Sequence, residues 1–178
     1  EKYDLAIGDL KKAVELKPDD FSPLYSLKSS YQEYGNFDLA ISDYTELIQK
    51  YPTTIRFYQD RAFFYTQQKK YDLAIADYES IIKIKPKDIS TYGSLARLYN
   101  TQKDFALAEK TYTRSVNANP ASANAYSSRG SFYKDQKQYD LAKADNKKAI
   151  ELDPTAPIRY KNLADLYFDQ GKSDSALS

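Results

Sequence analysis

The sequence of 178 residues contains no cysteine, histidine, methionine or tryptophan, and only five glycines. The absence of cysteine excludes disulfides and thiolate metal sites, and it leaves the redox compartment open. The absence of histidine and cysteine removes the most common proton shuttles and nucleophiles of enzymes. We therefore expect no enzymatic activity within this segment.

Charge and apolar runs exclude further classes of function. Lys and Arg number 26 against 25 Asp and Glu, so no overall positive field attracts nucleic acid or an anionic membrane. The apolar runs are far shorter than the roughly 18 residues of a membrane span. The glycines form no phosphate-binding loop, and no Asp-rich loop has calcium-site spacing. We expect no nucleic acid, membrane, cofactor or metal partner.

A short pattern recurs every 34 residues along the chain. An aromatic residue, Asp or Ala, Leu and Ala follow one another at five places, namely residues 3–6, 37–40, 71–74, 105–108 and 139–142. Prolines keep the same spacing at Pro18, Pro52, Pro86, Pro120 and Pro154. A sixth copy begins at Ser173, and because Glu1 opens directly into a helical pattern, we expect the sequence to be part of a longer protein.

Each period contains two amphipathic helices, because apolar residues recur at steps of three and four. In the second full period the stripes run through Ile55, Tyr58, Ala62 and Tyr65, and then through Ala74, Ile75, Tyr78, Ile81 and Ile82. The Asp that follows the aromatic residue, as in Asp38, Asp72 and Asp140, favours the positive end of the second helix. Proline cannot continue a helix, so each second helix should end just before it.

These positions resemble the tetratricopeptide repeat, whose 34-residue unit carries the pattern W-x2-L-G-x2-Y, then A-x3-F, then P. The first full copy has Leu24, Leu27, Lys28, Tyr31, Ala40, Tyr44 and Pro52 in these places. The resemblance implies an all-α fold, an α-solenoid of antiparallel helix pairs in a right-handed superhelix with the first helices inside. Lys28 stands in the glycine place and Asn146 in the second aromatic place, so we expect a looser interface around Asn146.

The period also predicts the boundaries of the repeats. Residues 1–20 form the second helix of a truncated repeat, and residues 157–178 form another truncated repeat. The full repeats span residues 21–54, 55–88, 89–122 and 123–156. One helix pair cannot bury both of its apolar faces, so each needs a neighbour on either side.

Residues that stand at the same place in successive copies form a column, and two such columns predict internal contacts. Tyrosines recur at Tyr31, Tyr65, Tyr99, Tyr133 and Tyr167, and an aromatic stripe at helical spacing indicates core packing. Arg61 and Arg129 share a first-helix column, whereas Asp43, Asp77 and Asp145 share a second-helix column. We predict that Arg61 pairs with Asp43 or Asp77, and Arg129 with Asp145.

The non-packing face of the first helices is the candidate surface for a partner. Its residues are mostly uncharged and polar with isolated basic and aromatic side chains, which suits an extended peptide or a helix. The predicted contact residues are Tyr25, Ser29, Gln32, Arg56, Gln59, Phe63, Arg97, Asn100, Asn124, Ser127, Lys134 and Lys161. Aromatic residues and Arg contribute most to interfaces, so Tyr25, Phe63 and Arg97 are the expected anchors.

The function predicted from these features is a scaffold for protein–protein interaction that holds a peptide or helix in a concave groove. One subset of the family binds the carboxylate end of chaperone tails with Lys, Asn and Arg. Those places are held here by residues such as Tyr25, Asp60 and Ser90, so we expect no such ligand. The alternative is end-to-end self-assembly through the terminal helices, in which residues 4–16 would expose Ile7, Leu10 and Val14.

Overall fold

The computed structural model describes residues 2–176, except for the side chains of Phe21 and residues 172–176. Ten α-helices form within this range: α1 (Lys2–Leu16), α2 (Phe21–Tyr34), α3 (Phe37–Lys50), α4 (Ile55–Gln67), α5 (Tyr71–Ile84), α6 (Ile89–Thr101), α7 (Phe105–Ala118), α8 (Ala123–Asp135), α9 (Tyr139–Leu152) and α10 (Pro157–Ala176). Among the described residues there is no strand, and no helix is long and apolar enough to cross a membrane. The predicted all-α fold is confirmed.

The chain divides into two compact units, residues 1–85 (unit 1, α1–α5) and residues 86–178 (unit 2, α6–α10). Turns of two to four residues join consecutive helices, so neighbouring helices within a unit pack antiparallel. The even-numbered helices are the first helices of the repeat pattern, and the odd-numbered helices are the second helices.

The predicted helix ends are confirmed. The second helix α3 ends at Lys50 before Pro52, and α7 ends at Ala118 before Pro120. Asp38 lies in the first turn of α3, where its carboxylate faces the positive end of the helix dipole. The side chains of Asn36 and Asp104, which precede α3 and α7, accept hydrogen bonds from backbone N–H groups in the first turn.

The turn between the first and second helix contains a residue with a left-handed backbone. Gly35 has a φ of 73°, and the equivalent Lys69, Lys103 and Lys137 have φ values of 58°, 63° and 58°. The residue after each lysine donates its backbone N–H to the carbonyl five positions earlier, as Lys70 does to Tyr65. This hydrogen bond closes the first helix. The three lysines adopt a conformation that favours glycine.

The core of unit 1 is built on aromatic side chains. Tyr31, Tyr44, Phe57 and Phe64 are fully buried, and the rings of Tyr44 and Phe64 stack with centroids 5.9 Å apart. Tyr31 meets the Phe64 ring edge-on at 6.0 Å. The Tyr31 hydroxyl also donates a short hydrogen bond to Asp43. Ile7 and Val14 of α1 belong to the same core.

The core of unit 2 is built around Phe132, with Tyr112 and Tyr133 packed against its ring at 5.3 and 5.8 Å. Near it, Gly130 of α8 lies so close to α9 that a Cβ atom there would be 3.3 Å from Asn146 Oδ1. Asn146 is itself buried. The looser interface expected around Asn146 is therefore wrong, because a small residue on α8 compensates for the missing aromatic ring.

The tyrosine column predicted for the core is confirmed in part. Tyr31 and Tyr133 are buried, and Tyr65 and Tyr99 are half-buried. Tyr167 is 48% exposed, so the core role predicted for it is wrong. Among the described residues no second helix follows α10 to pack over Tyr167 as α3 packs over Tyr31, and Lys143 of α9 lies 5.7 Å from its ring centroid.

The apolar side chains of α1 do not form the exposed surface that end-to-end stacking was expected to use. Ile7 and Val14 are buried and Leu10 is half-buried, because α1 turns this stripe toward the core of unit 1. The exposed large apolar side chains of α1 are instead Tyr3, Leu5 and Leu16.

The last helix is longer than the repeat pattern predicts. A new second helix was expected to begin at Ser173, yet α10 runs without a break to Ala176. Gly171, which occupies the place of Gly35, is part of this helix. Ser173 and Ser175 stand where the other copies have the aromatic residue and the leucine.

Candidate functional site

Two charged braces fix first helices to second helices. Arg61 of α4 donates hydrogen bonds to both carboxylate oxygens of Asp77 on α5, at 3.0 and 2.6 Å. Arg61 also donates to Thr45 of α3 at 2.9 Å. Arg129, two periods later, binds Asp145 on α9 and Thr113 on α7 in the same way. The predicted Arg–Asp pairing is confirmed, and the partner of Arg61 is Asp77.

The electrostatics show that the first brace is a buried pair. Burial opposes the charge of Arg61, but the hydrogen bond and charge of Asp77 outweigh it and raise the pKa of the guanidinium. Burial raises the pKa of Asp77 in spite of the arginine beside it. Asp43, the third member of the aspartate column, is bound instead by Lys11 at 2.5 Å and by the Tyr31 hydroxyl. These contacts hold the helices together.

The first-helix face of unit 1 carries six of the predicted contact residues. Tyr25 and Gln32 of α2 are exposed, and the remaining four are half-buried, namely Ser29, Arg56, Gln59 and Phe63. The structure brings α2 and α4 together on this face, because Lys28 of α2 lies 4.1 Å from the ring centroid of Phe63 on α4.

A buried carboxylate lies at the base of this face. Asp60 of α4 is fully buried, although it holds one of the places that the chaperone-binding subset of the family uses for its ligand. Lys28 Nζ lies 3.2 Å from its Oδ1 atom, and Arg56 Nε donates to its Oδ2 atom at 3.0 Å. We call Lys28, Arg56 and Asp60 the Lys28 cluster. Tyr44 lies next to it, and burial together with the charge of Asp60 raises the pKa of its phenol.

The first-helix face of unit 2 carries the other six predicted residues. Arg97, Asn124 and Lys161 are exposed, while Asn100, Ser127 and Lys134 are half-buried. Lys161 pairs with Asp165 one turn along α10, and Lys134 pairs with Asp169 across α8 and α10. Arg97 donates to Ser94 on its own helix at 3.2 Å.

Two of these residues, Asn124 and Ser127, meet at an arginine that the sequence pattern did not identify. Arg159 of α10 is buried and donates to Ser127 Oγ at 3.2 Å and to Asn124 Oδ1 at 3.3 Å. Arg159 also binds Asp153, and the hydrogen bonds from Arg159 and Thr155 lower the pKa of this aspartate.

These groups line an open cavity of about 260 Å³ between α8 and α10, which we call the Arg159 pocket. Its lining is Asn124, Ser127, Ser128, Ser131, Ile158, Arg159 and Asn162. The pocket offers amide and hydroxyl groups, which both donate and accept hydrogen bonds. Its chemistry suits a polypeptide backbone or polar side chains.

The period contains a signal for the residues that the prediction missed. Arg159 occupies a column in which the other copies have Pro23, Phe57, Thr91 and Ala125, so it is the only charged residue there. Asp60 is likewise the only acidic residue in its column. A charged residue that departs from its own column therefore marks both sites.

Comparison with known proteins identifies the repeat. Sequence profiles of the tetratricopeptide repeat match residues 29–54, 65–130 and 123–156. No curated protein matches the chain.

Solved structures of such repeats have a similar fold. A tetratricopeptide repeat protein of Parabacteroides merdae is 24% identical, with a TM-score of 0.60 over 96% of this chain and 68% of that one. A thermophilic protein of the same class from Thermus thermophilus is 17% identical, with a TM-score of 0.62 over 93% of this chain and 91% of that one. YrrB, a repeat protein with an unusual peptide-binding site, is 17% identical, with a TM-score of 0.53 over 89% and 81% of the two chains.

Proposed function

Because the chain belongs to the tetratricopeptide repeat family, a family of protein–protein interaction scaffolds, we propose that its first-helix faces bind a peptide or helix of a partner protein. The faces in question are the non-packing sides of α2 and α4 in unit 1, and of α6, α8 and α10 in unit 2. No catalytic role is part of this proposal.

The observation that carries the proposal is the Arg159 pocket. Its lining comes only from first helices, and it includes the predicted contact residues Asn124 and Ser127. Five of the seven lining residues are serine or asparagine, so the pocket offers hydrogen bonds without a dominant charge. A partner backbone needs such donors and acceptors to replace the water that it loses on binding. The peptide-binding site of YrrB is consistent with this function, although at 17% identity the likeness supports only the fold.

A displayed library of random peptides, with both peptide ends blocked, tests the proposal. Peptides enriched on the wild-type chain are measured again on a variant whose first-helix faces are filled by Ser29→Trp and Ser131→Trp. The matched control fills the second helices with Ser42→Trp and Ala144→Trp, which are exposed on α3 and α9. Circular dichroism checks that both double variants are folded.

We expect the enriched peptides to bind the control as they bind the wild-type chain, and to lose about tenfold or more in affinity for the first-helix variant. Equal binding to the first-helix variant, or loss of binding only in the second-helix control, would move the site to another surface. End-to-end stacking is not proposed, since Ile7 and Val14, two of the three side chains it relied on, are buried within unit 1.

A further inference from the structure

Three charged residues of unit 1 depart from the pattern of their own columns. Lys28 stands where the other copies have Ala62, Ala96, Gly130 and Ala164. Arg56 stands where they have Ser22, Ser90, Asn124 and Ile158. Asp60 stands where they have Ser26, Ser94, Ser128 and Asn162. These three residues form the Lys28 cluster, so the departures from the pattern meet at one place on the surface of unit 1.

The charged residues of the Lys28 cluster make the packing of unit 1 less favourable. The column of Lys28 faces the second helix of the same pair, where Gly130 allows α8 and α9 to approach closely. With lysine there, α2 lies less closely against α3 than α8 lies against α9. The carboxylate of Asp60 is fully buried, and burial of a charge is unfavourable unless cations compensate it. The other copies avoid both costs, because they have Ala or Gly in the place of Lys28 and Ser or Asn in the place of Asp60.

The cluster contains one more positive charge than negative charge. Lys28 and Arg56 share the single carboxylate of Asp60, and their side chains remain 21% and 33% exposed. The other predicted contact residues on this face, Tyr25, Ser29, Gln32, Gln59 and Phe63, are uncharged. Phe63 covers one side of the ammonium group and keeps part of the surrounding water away.

We propose that the Lys28 cluster binds the carboxylate of an aspartate or glutamate side chain in the partner segment. This proposal rests on the proposed function. One carboxylate carries the single negative charge that neutralises the cluster, and charge-assisted hydrogen bonds to Lys and Arg are stronger than neutral ones. Asp60 already holds both cations, so little side-chain freedom is lost when the carboxylate arrives.

The test uses the peptides that the library selection enriches on the wild-type chain. We expect them to share an acidic residue at one fixed place. Each is synthesised with blocked ends, in the acidic form and with Asp→Asn or Glu→Gln at that place. Both forms are titrated against the wild-type chain, Lys28→Gln and the control Lys12→Gln, which removes an exposed lysine of α1.

Neutralising the peptide should raise Kd about tenfold on the wild-type chain and on Lys12→Gln, which corresponds to about 1.4 kcal/mol. On Lys28→Gln the two forms should bind within about twofold of each other, and Lys28→Arg should restore the difference. If Lys28→Gln proves unfolded by circular dichroism, Arg56→Gln replaces it in the same comparison, with the same expected result.

Enriched peptides without a shared acidic place, or an acidic preference that persists in Lys28→Gln, would overturn this inference and leave the proposed function standing. A preference that arises only when the carboxyl end of the peptide is free would also overturn it. If no peptide is enriched in a way that depends on the first-helix faces, the proposed function is overturned, and this inference with it.

Discussion

Arg129 donates hydrogen bonds to both carboxylate oxygens of Asp145, from Nε at 2.8 Å and from Nη2 at 2.9 Å. Asp145 is buried, so the pair links α8 to α9 away from water. The column of Arg129 holds leucine in alternate copies, at Leu27, Leu95 and Leu163. In the copy with Leu95, the aspartate place is taken by Thr111, which donates to the carbonyl of Leu107 on its own helix. The chain therefore contains a charged and an uncharged version of the same junction.

Removing one partner of the Arg129 brace should destabilise unit 2. Arg129→Ala leaves the Asp145 carboxylate buried without its cation, and we expect a loss of about 3 kcal/mol in the free energy of unfolding. The double variant Arg129→Leu with Asp145→Thr reproduces the junction at Leu95 and should recover more than half of this loss. Urea unfolding measures both values. Equal losses in the two variants would show that the charge pair is not what the single variant disrupts.

Glycine should stabilise the turns that contain a left-handed lysine. The φ of 58° at Lys137 costs a residue with a side chain about 1 to 2 kcal/mol, and Lys137→Gly removes this cost. Part of the gain is offset, because glycine has greater freedom in the unfolded chain. We expect a net gain of about 0.5 to 1 kcal/mol in thermal or urea unfolding.

The matched control for this turn is Lys147→Gly in the middle of α9. There the backbone is helical, so glycine should destabilise by about 1 kcal/mol. A loss of stability in both variants would contradict the account of the turn.

The Tyr44 hydroxyl should make stability sensitive to alkaline pH. Its oxygen is buried without a hydrogen-bond partner, and burial and the charge of Asp60 raise the pKa of the phenol in the folded chain. A phenol in the unfolded chain ionises near pH 10. The stability contributed by the neutral folded phenol is therefore present below about pH 10 and is lost as the pH rises above it.

Urea unfolding from pH 8 to 11 measures this loss for the wild-type chain and for Tyr44→Phe. The variant should be as stable as the wild-type chain or more stable at pH 8, because no hydrogen bond is lost. Its stability should also fall less steeply above pH 10. A parallel fall in both chains would assign the alkaline loss to other tyrosines, such as Tyr31, whose pKa is also raised by burial and by the hydrogen bond to Asp43.

Restoring the aromatic residue that the repeat pattern calls for at Asn146 should weaken unit 2. Gly130 and Asn146 are in close contact, so a tyrosine ring at residue 146 has no space between α8 and α9. We expect Asn146→Tyr to destabilise by about 1 to 3 kcal/mol in urea unfolding, as overpacked cores do. As the control, Lys147→Tyr changes the neighbouring exposed residue of α9 and should stay within about 0.5 kcal/mol of the wild-type chain. If Asn146→Tyr is as stable as the wild-type chain in urea unfolding, the space between α8 and α9 is larger than the contacts indicate.

The sequence was sufficient for what recurs with the period. Repeating columns predict the helix ends before the prolines. They also predict that Arg61 and Arg129 each pair with an aspartate of the second helix. The contacts of residues that occur in only one copy were harder to predict. Arg159 and Lys28 have long side chains that cross to a neighbouring first helix, and a pattern on one helix does not say which helix such a side chain reaches.

Two of the errors have a common physical origin. The end of α10 and the exposure of Tyr167 depend on whether a second helix packs alongside, and the residue pattern assigns the same place to packed and unpacked copies. The lysines with positive φ were missed because their residue type gives no sign of a left-handed turn. The contact residues on the first-helix faces remain a prediction, since exposure alone does not distinguish a binding face from a solvated one.

The alternation of leucine and arginine also bears on how a self-similar chain finds its correct partners. Copies that resemble one another risk swapping places during folding, because any first helix could dock on the wrong second helix. If α8 docked on α7 in place of α6, Arg129 would meet Thr111, and Asp145 would lose its cation. Such a swap would leave Arg129 and Asp145 without each other, so in unit 2 this pair disfavours an exchange between neighbouring copies.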